Sequence, residues 1–184
     1  MTRMFLALVL VTGCYADLRL GGSAPVGAGH GGAGIDLGIG LGFEHRGDRI
    51  RAGGGLNTGV HGSDEPNANS YVPLGAEGRI DVGLTEPNER GGRLIGVGQL
   101  ALGYARSVSD DPMMDTPGGV LAQAFLGLGL GATRLTYPGS IAAGSVSIGL
   151  LLTRFSPDPG DGYWMVGAGL SVSGGLDIAK VLDR

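Results

Sequence analysis

Eight polar side chains stand on matching parity in stretches that alternate between apolar and small or polar residues: Asp36; Arg49 and Arg51; Glu77, Arg79 and Asp81; and, further along, Gln99 and Gln123. Brought together inside one enclosure, such groups can do one of two things. They can line a gated polar path for protons or ions, or they can pair and close the enclosure as a plug. Buried charges are stable only when paired and hydrogen-bonded. Acids and bases nearly balance in this set, so the plug is the expected arrangement. A second group of acids lies in segments rich in turn formers: Asp64 and Glu65, then Asp110, Asp111 and Asp115, then Asp158 and Asp161. Clustered carboxylates can hold Ca²⁺ or Mg²⁺ through oxygen ligands. Asp110, Asp111, Asp115, Asp158 and Asp161 are the weak metal candidates, but none has EF-hand spacing, and a solvated acidic rim explains them as well. His30, His45 and His61 lack zinc-site spacing. No serine sits in a Gly-x-Ser-x-Gly elbow. The Gly53-Gly54-Gly55 run lies inside a strand pattern, so it does not open a helix onto a phosphate. Arg46-Gly47-Asp48 spells an adhesion tripeptide, which chance in a turn explains. No catalytic set emerges, and no enzyme activity or cofactor is expected.

The elements that would position these residues are strands. From Gly34 to Val60 the chain reads GIDLGIGLGFEHRGDRIRAGGGLNTGV, with Ile35, Leu37, Ile39, Leu41 and Phe43 at every second position. A period of two marks a strand with one apolar and one small or polar face. The pattern recurs and predicts eight strands, near 15–22, 32–44, 49–60, 71–84, 93–107, 120–134, 140–154 and 163–173. In the fifth the alternation blurs, because Ile95 and Val97 oppose Leu94, Leu100 and Leu102. Most of these stretches exceed the ~5–6 residues of a globular strand and reach the ~9–11 that a tilted membrane strand needs. The connections read as alternately long and short, as in a membrane barrel. Tyr71, Tyr104, Phe155, Tyr163 and Trp164 are expected near one rim, and Tyr15, Phe43 and Tyr137 near the other, as two interfacial aromatic girdles. The expected fold is all-β: a single antiparallel up-and-down barrel of about eight strands over residues 14–175, after an N-terminal signal segment (1–13) and before a tail or short helix (176–184).

Composition narrows the class. Glycine supplies 39 of 184 residues without a Gly-X-Y period, which excludes collagen, and the apolar content is too high for a disordered chain. Only 16% of residues are charged and Lys180 is the sole lysine. The formal net charge is −4, with no basic patch interleaved with aromatics, so nucleic acid is not an expected partner. The apolar parity decides the surroundings. If it pointed inward, the water-facing parity would be mostly glycine, which specifies a surface poorly and bares backbone. If it points to lipid, glycine and charges fill a tight lumen, and closure satisfies the backbone.

The N-terminus supplies an address. Arg3 precedes an apolar run from Phe5 to Val11, too short to span a bilayer but laid out as a secretory signal. Its end, Val11-Thr12-Gly13-Cys14, resembles the lipobox of bacterial lipoproteins. That resemblance implies cleavage before Cys14 and a covalent lipid on its thiol. Tyr15 in the following position, in place of aspartate, implies an outer-membrane destination. The alternative is an ordinary signal cut after Ala16, with Cys14 discarded. Cys14 is the only cysteine, so no intramolecular disulfide can form.

The pattern over residues 16–175 resembles the small outer-membrane β-barrel proteins of Gram-negative bacteria. It is a likeness of pattern, not of motif. Those proteins usually end on an aromatic residue, whereas this chain ends Lys180-Val181-Leu182-Asp183-Arg184. The resemblance implies a lipid-anchored barrel at the outer membrane in a structural or surface-interaction role, with outer-membrane lipid as its surroundings and an envelope or surface protein as a partner. The same sequence admits a soluble, lipid-tethered barrel holding an apolar ligand in lipocalin fashion, or a small pore or barrel enzyme.

Overall fold

Alternation of aliphatic residues with glycine or polar residues builds every element of this chain. A computed structural model describes residues 13–26, 34–63, 70–108, 118–132, 142–158 and 162–177. They form eight strands: β1 (Gly13–Val26), β2 (Gly34–Arg46), β3 (Ile50–Ser63), β4 (Ser70–Gly83), β5 (Arg93–Val108), β6 (Gly119–Ala132), β7 (Ala142–Pro157) and β8 (Tyr163–Asp177). Each pairs antiparallel with its sequence neighbours, and β8 closes on β1 to give one barrel. The expected architecture is the one observed.

The register fixes the barrel's shape. The ladder can be followed from Ala16 through Leu41, Leu56, Ala76, Leu102, Ala122, Arg154 and Trp164, and it returns to β1 at Val26. The shift of ten residues over eight strands, at ~3.3 Å per residue and ~4.8 Å per strand, tilts the strands by about 40°. A 14-residue strand such as β1 at that tilt rises about 35 Å along the barrel axis, enough to cross a ~30 Å hydrocarbon layer.

The apolar parity points outward. Ile39, Leu128 and Val166 are 42%, 58% and 39% exposed, and thirty large apolar side chains among the described residues are exposed on the wall and rims. A soluble monomer rarely bares contiguous apolar surface on that scale. Inward positions carry charged, hydroxyl and amide groups, two apolar clusters, and glycines that lie under side chains reaching across the lumen. Gly38 lies beneath the Arg19 guanidinium, Gly53 beneath the Tyr15 ring and Gly83 beneath Arg93.

Several expectations need correction. β8 runs to Asp177, with Leu176 paired to Cys14 and Ala142, so the barrel extends beyond 175 into the segment expected as a tail. The tail or short helix was expected over 176–184; Leu176 and Asp177 are strand, and 178–184 lie outside the described residues. Gly13, expected to belong to the signal segment, pairs with Glu44 as the first residue of β1. The connections do not alternate in length. On the rim that holds Gly13 and Asp177, here the near rim, they span 47–49, 84–92 and 133–141; on the far rim they span 27–33, 64–69, 109–118 and 158–162. The 84–92 connection is long because it folds on itself. The Asn88 side-chain oxygen accepts hydrogen bonds from the Arg90 and Gly92 amides, and Gly91 takes φ 76°, a left-handed conformation that glycine adopts freely. The girdles also thin out. Tyr104, Trp164 and Phe43 face outward, but Tyr15 and Phe155 are buried in the lumen, and Tyr71 and Tyr163 pack against the inner cluster around Phe155. Height along a strand places an aromatic near a rim; parity decides which side of the wall it takes. Tyr137 lies outside the described residues.

Candidate functional site

The lumen is the site, and it is layered. Nearest the near rim, Glu44 takes the Arg46 Nε–H at 2.6 Å and faces the Arg51 Nε at 3.5 Å. Arg51 pairs with Asp81, Asp81 takes the Arg79 Nε–H at 2.8 Å, and Arg79 pairs with Asp17. The result is a ladder, Arg46–Glu44–Arg51–Asp81–Arg79–Asp17, contributed by β1 to β4. β7 and β8 supply hydroxyls to it. Ser145 accepts from Arg51 and Arg79 at 3.1 Å, Ser173 accepts from Arg51, and Ser171 accepts from Arg79 at 2.7 Å.

The middle layer is held by neutral partners. Glu77 accepts hydrogen bonds from Tyr15 Oη at 2.8 Å, Asn57 Nδ2 at 3.0 Å and Gln99 Nε2 at 3.0 Å. Arg19, 1% exposed, donates from Nη2 to Gln123 Oε1 at 2.6 Å, while its Nε and Nη1 have no acceptor among the described residues. Above this, the Asp36 carboxylate takes the Ser23 hydroxyl at 2.9 Å and the Gln123 amide at 2.9 Å, and lies 2.8 Å from His61 Nδ1. Ser23 therefore gives its proton to the carboxylate and not to the imidazole, which is unlike a nucleophile activated by a base.

Two apolar clusters complete the filling. Ile95, Val97, Phe125 and Leu151 occupy the β5–β7 side opposite the ladder. Toward the far rim, Ala105, Leu121, Phe155 and Met165 pack with Tyr71 and Tyr163; ring centroids of Phe155 lie 4.5 Å from Tyr71 and 5.8 Å from Tyr163. Charges thus close one end and aromatics the other. Among the described residues the buried acids are Asp17, Asp36, Glu44, Glu77 and Asp81, and the buried arginines are Arg19, Arg46, Arg51, Arg79 and Arg93. These five and five cancel, as a low-dielectric enclosure requires.

The structure brings together most of the side chains expected in the lumen. Asp36, Arg51, Glu77, Arg79, Asp81, Gln99 and Gln123 are all buried there. Arg49 is the exception. It was expected inside, but β3 starts at Ile50, and Arg49 sits in the 47–49 turn, exposed and paired with Glu86 of the 84–92 turn. A turn residue is not bound by the strand's parity. Asp17, Arg19, Glu44, Arg46, Arg93 and His61 are buried as well, though the sequence does not mark them as lumen residues. Asp17 and Arg19 carry a signal, since they alternate with Leu18 and Leu20; Arg46 lies beyond the expected end of the second strand at 44, although β2 continues through it. Asp158 is exposed, and Asp110, Asp111, Asp115 and Asp161 lie outside the described residues. Among the described residues no cluster of His, Cys, Asp or Glu could hold a metal. Cys14 stands on the outward parity of β1, in a groove on the near-rim wall with Phe43 and Leu176.

No protein-family model matches the chain, and no curated protein matches it in sequence. Among solved structures it is similar to Neisserial surface protein A, at 8% identity with a TM-score of 0.52, over 89% of this chain and 96% of that one. It is also matched to the outer membrane enzyme PagL, at 13% identity with a TM-score of 0.45, over 85% and 97% of the two chains. At these identities the first likeness concerns the fold alone, an eight-stranded barrel closed β1 to β8.

Proposed function

We propose that this chain is a bilayer-inserted outer-membrane barrel, anchored through a lipid on Cys14, with a closed lumen and a structural or surface-interaction role in place of catalysis. One observation carries the reading. The wall is apolar on the outside while its charges are paired within, the inverse of a soluble barrel. In water this arrangement would hydrate the aliphatic belt, whereas in a bilayer the belt meets hydrocarbon; in both, the polar side chains satisfy one another inside. A soluble carrier with an apolar ligand would need an apolar inner wall along its length, and the ladder and the Asp36–His61–Gln123 group occupy that space.

Cys14 supports the anchor by its position. Its thiol side faces the outer wall and not the lumen, so acyl chains on it would enter the surrounding lipid directly. Gly13 precedes it as the first residue of β1, so processing before Cys14 removes a single terminal rung of the ladder. The far rim then faces away from the anchor and offers its connections to envelope or surface partners, Asp158 among them.

The test combines palmitate labelling with extraction. The wild-type protein incorporates label and Cys14→Ala does not, while Cys14→Ala still resists carbonate extraction and keeps heat-modifiable gel mobility. A Cys14→Ala protein that leaves the membrane as a folded monomer in buffer sinks the inserted barrel. A wild type that takes up no palmitate sinks the anchor alone.

A further inference from the structure

Two arginines interrupt the apolar outer wall, and both stand toward the far rim. Among the described residues, the outward positions of all eight strands carry no aspartate, glutamate or lysine, and the only arginines there are Arg106 on β5 and Arg154 on β7. The ladder puts Arg154 level with Ala122 and Leu102, and Arg106 lies four residues beyond Leu102. Four residues at ~3.3 Å and two strands at ~4.8 Å separate their Cα atoms by about 16 Å. Exposed Val120 of β6 lies between them.

Arg154 is held in place. Its Cζ sits 5.1 Å from the centroid of the Trp164 ring, its ladder neighbour on β8. A charge that merely snorkelled to water would leave the wall; this one is stacked on it. Directly beneath, toward the middle of the wall, runs an apolar groove of about 570 Å³. Small residues form its floor (Ala76, Gly78, Ala122 and Ala124), and Leu102 and Trp164 stand at its edges. Its upper end meets Arg154, because Ala122 and Trp164 are the two ladder neighbours of that arginine.

We propose that the groove and the two arginines form a binding site for one phosphorylated lipid of the leaflet at the far rim. An acyl chain lies along the small-residue floor, and the phosphate sits above Val120 between Arg106 and Arg154. The charges choose the headgroup. Guanidinium forks match phosphate oxygens, and the described carboxylate nearest to them, the exposed Asp158, lies past the end of β7 at the rim and not on the strand wall. The inference rests on the barrel lying in a bilayer.

Trp164 is the only tryptophan in the chain, so it reports the site directly. The full barrel is reconstituted in phosphatidylcholine vesicles holding increasing fractions of brominated-chain phosphatidic acid or brominated-chain phosphatidylcholine, and Trp164 quenching is compared. Phosphatidic acid should quench at lower mole fraction, by about fivefold per arginine engaged. Arg106→Gln, which leaves the Trp164 stacking alone, should erase most of that preference. Ala124→Leu, which fills the groove and keeps both charges, should reduce it as well. Equal quenching by the two lipids overturns the site but leaves the inserted barrel standing. A preference untouched by both variants also overturns it. Absence of quenching by either lipid, even in fully brominated vesicles, means that this wall does not face acyl chains, and the membrane reading falls with it.

Discussion

The carboxylate of Glu77, reaching in from β4, occupies the volume that a β-carbon at Gly40 on β2 would fill. Glycine on the inward parity is thus not filler; it is the space into which a side chain from another strand folds. Gly40→Ala should force Glu77 to withdraw from Tyr15, Asn57 and Gln99. Losing a hydrogen bond to a buried charge costs roughly 1.5–3 kcal/mol, so giving up two of the three should cost about 3–6 kcal/mol, read as the urea midpoint of the gel-mobility shift in micelles. Adding Glu77→Ala should return most of the Gly40→Ala penalty. Gly42→Ala makes the control, because its β-carbon would strike the β3 backbone at Gly54, and no side-chain change at position 77 can relieve that. If Glu77→Ala rescues both glycine variants equally, the specific pairing is wrong.

Asp81 bridges two arginines, Arg51 and Arg79. Asp81→Asn keeps the shape and removes the charge, which leaves both guanidiniums buried beside a neutral amide. Breaking a buried ion pair from one side costs roughly 3–5 kcal/mol, and the unfolding midpoint should fall accordingly. Glu86→Gln makes the comparison, since its pair with Arg49 is exposed on the near-rim turns; such pairs are worth about 0–1 kcal/mol. Equal effects in the two variants would show that the ladder is no more than a surface-like pairing.

Much of this arrangement was legible from residue order, and the parts that were not have physical causes. Parity was readable because an inverted barrel separates its two faces sharply: aliphatic residues outside, glycine and ions inside. Strand ends were not, because Arg46 looks like a turn residue until Arg51 of the partner strand pairs with it. Ile95 and Val97 blurred the fifth strand for a different reason. The lumen is itself divided, with ions along β1–β4 and an apolar cluster against β5–β7, so on β5 both faces carry apolar side chains. A period-two reading cannot orient such a strand. Only its neighbours can, through Phe125 and Leu151.

That inner apolar cluster should behave as a true core. Phe125 is fully buried among Ile95, Val97 and Leu151. Phe125→Ala should destabilise the barrel by about 3–5 kcal/mol, whereas Leu128→Ala on the outward wall should cost clearly less, since Leu128 is 58% exposed to the surroundings of the barrel. Unfolding midpoints in micelles give the comparison. A larger effect at Leu128 than at Phe125 would reverse the inside and outside assigned here.

The two closures of the lumen stand in series, and this governs what would open it. The ionic ladder occupies the near-rim half, and Phe155 with Tyr71 and Tyr163 fills the far-rim end. Removing only one leaves the other as the barrier, because apolar constrictions exclude ions by dewetting. The wild-type barrel should show no steady conductance steps in planar bilayers. Replacing Asp17, Arg51, Arg79 and Asp81 together with alanine preserves charge balance and removes most of the ladder, yet should still conduct negligibly. Phe155→Ala alone should do the same. Only the combination should give resolvable, small steps, provided gel mobility shows the variant still folded. A steady porin-sized conductance in the wild type, or full opening on removing the ladder alone, would mean that side chains here line a path and do not block one.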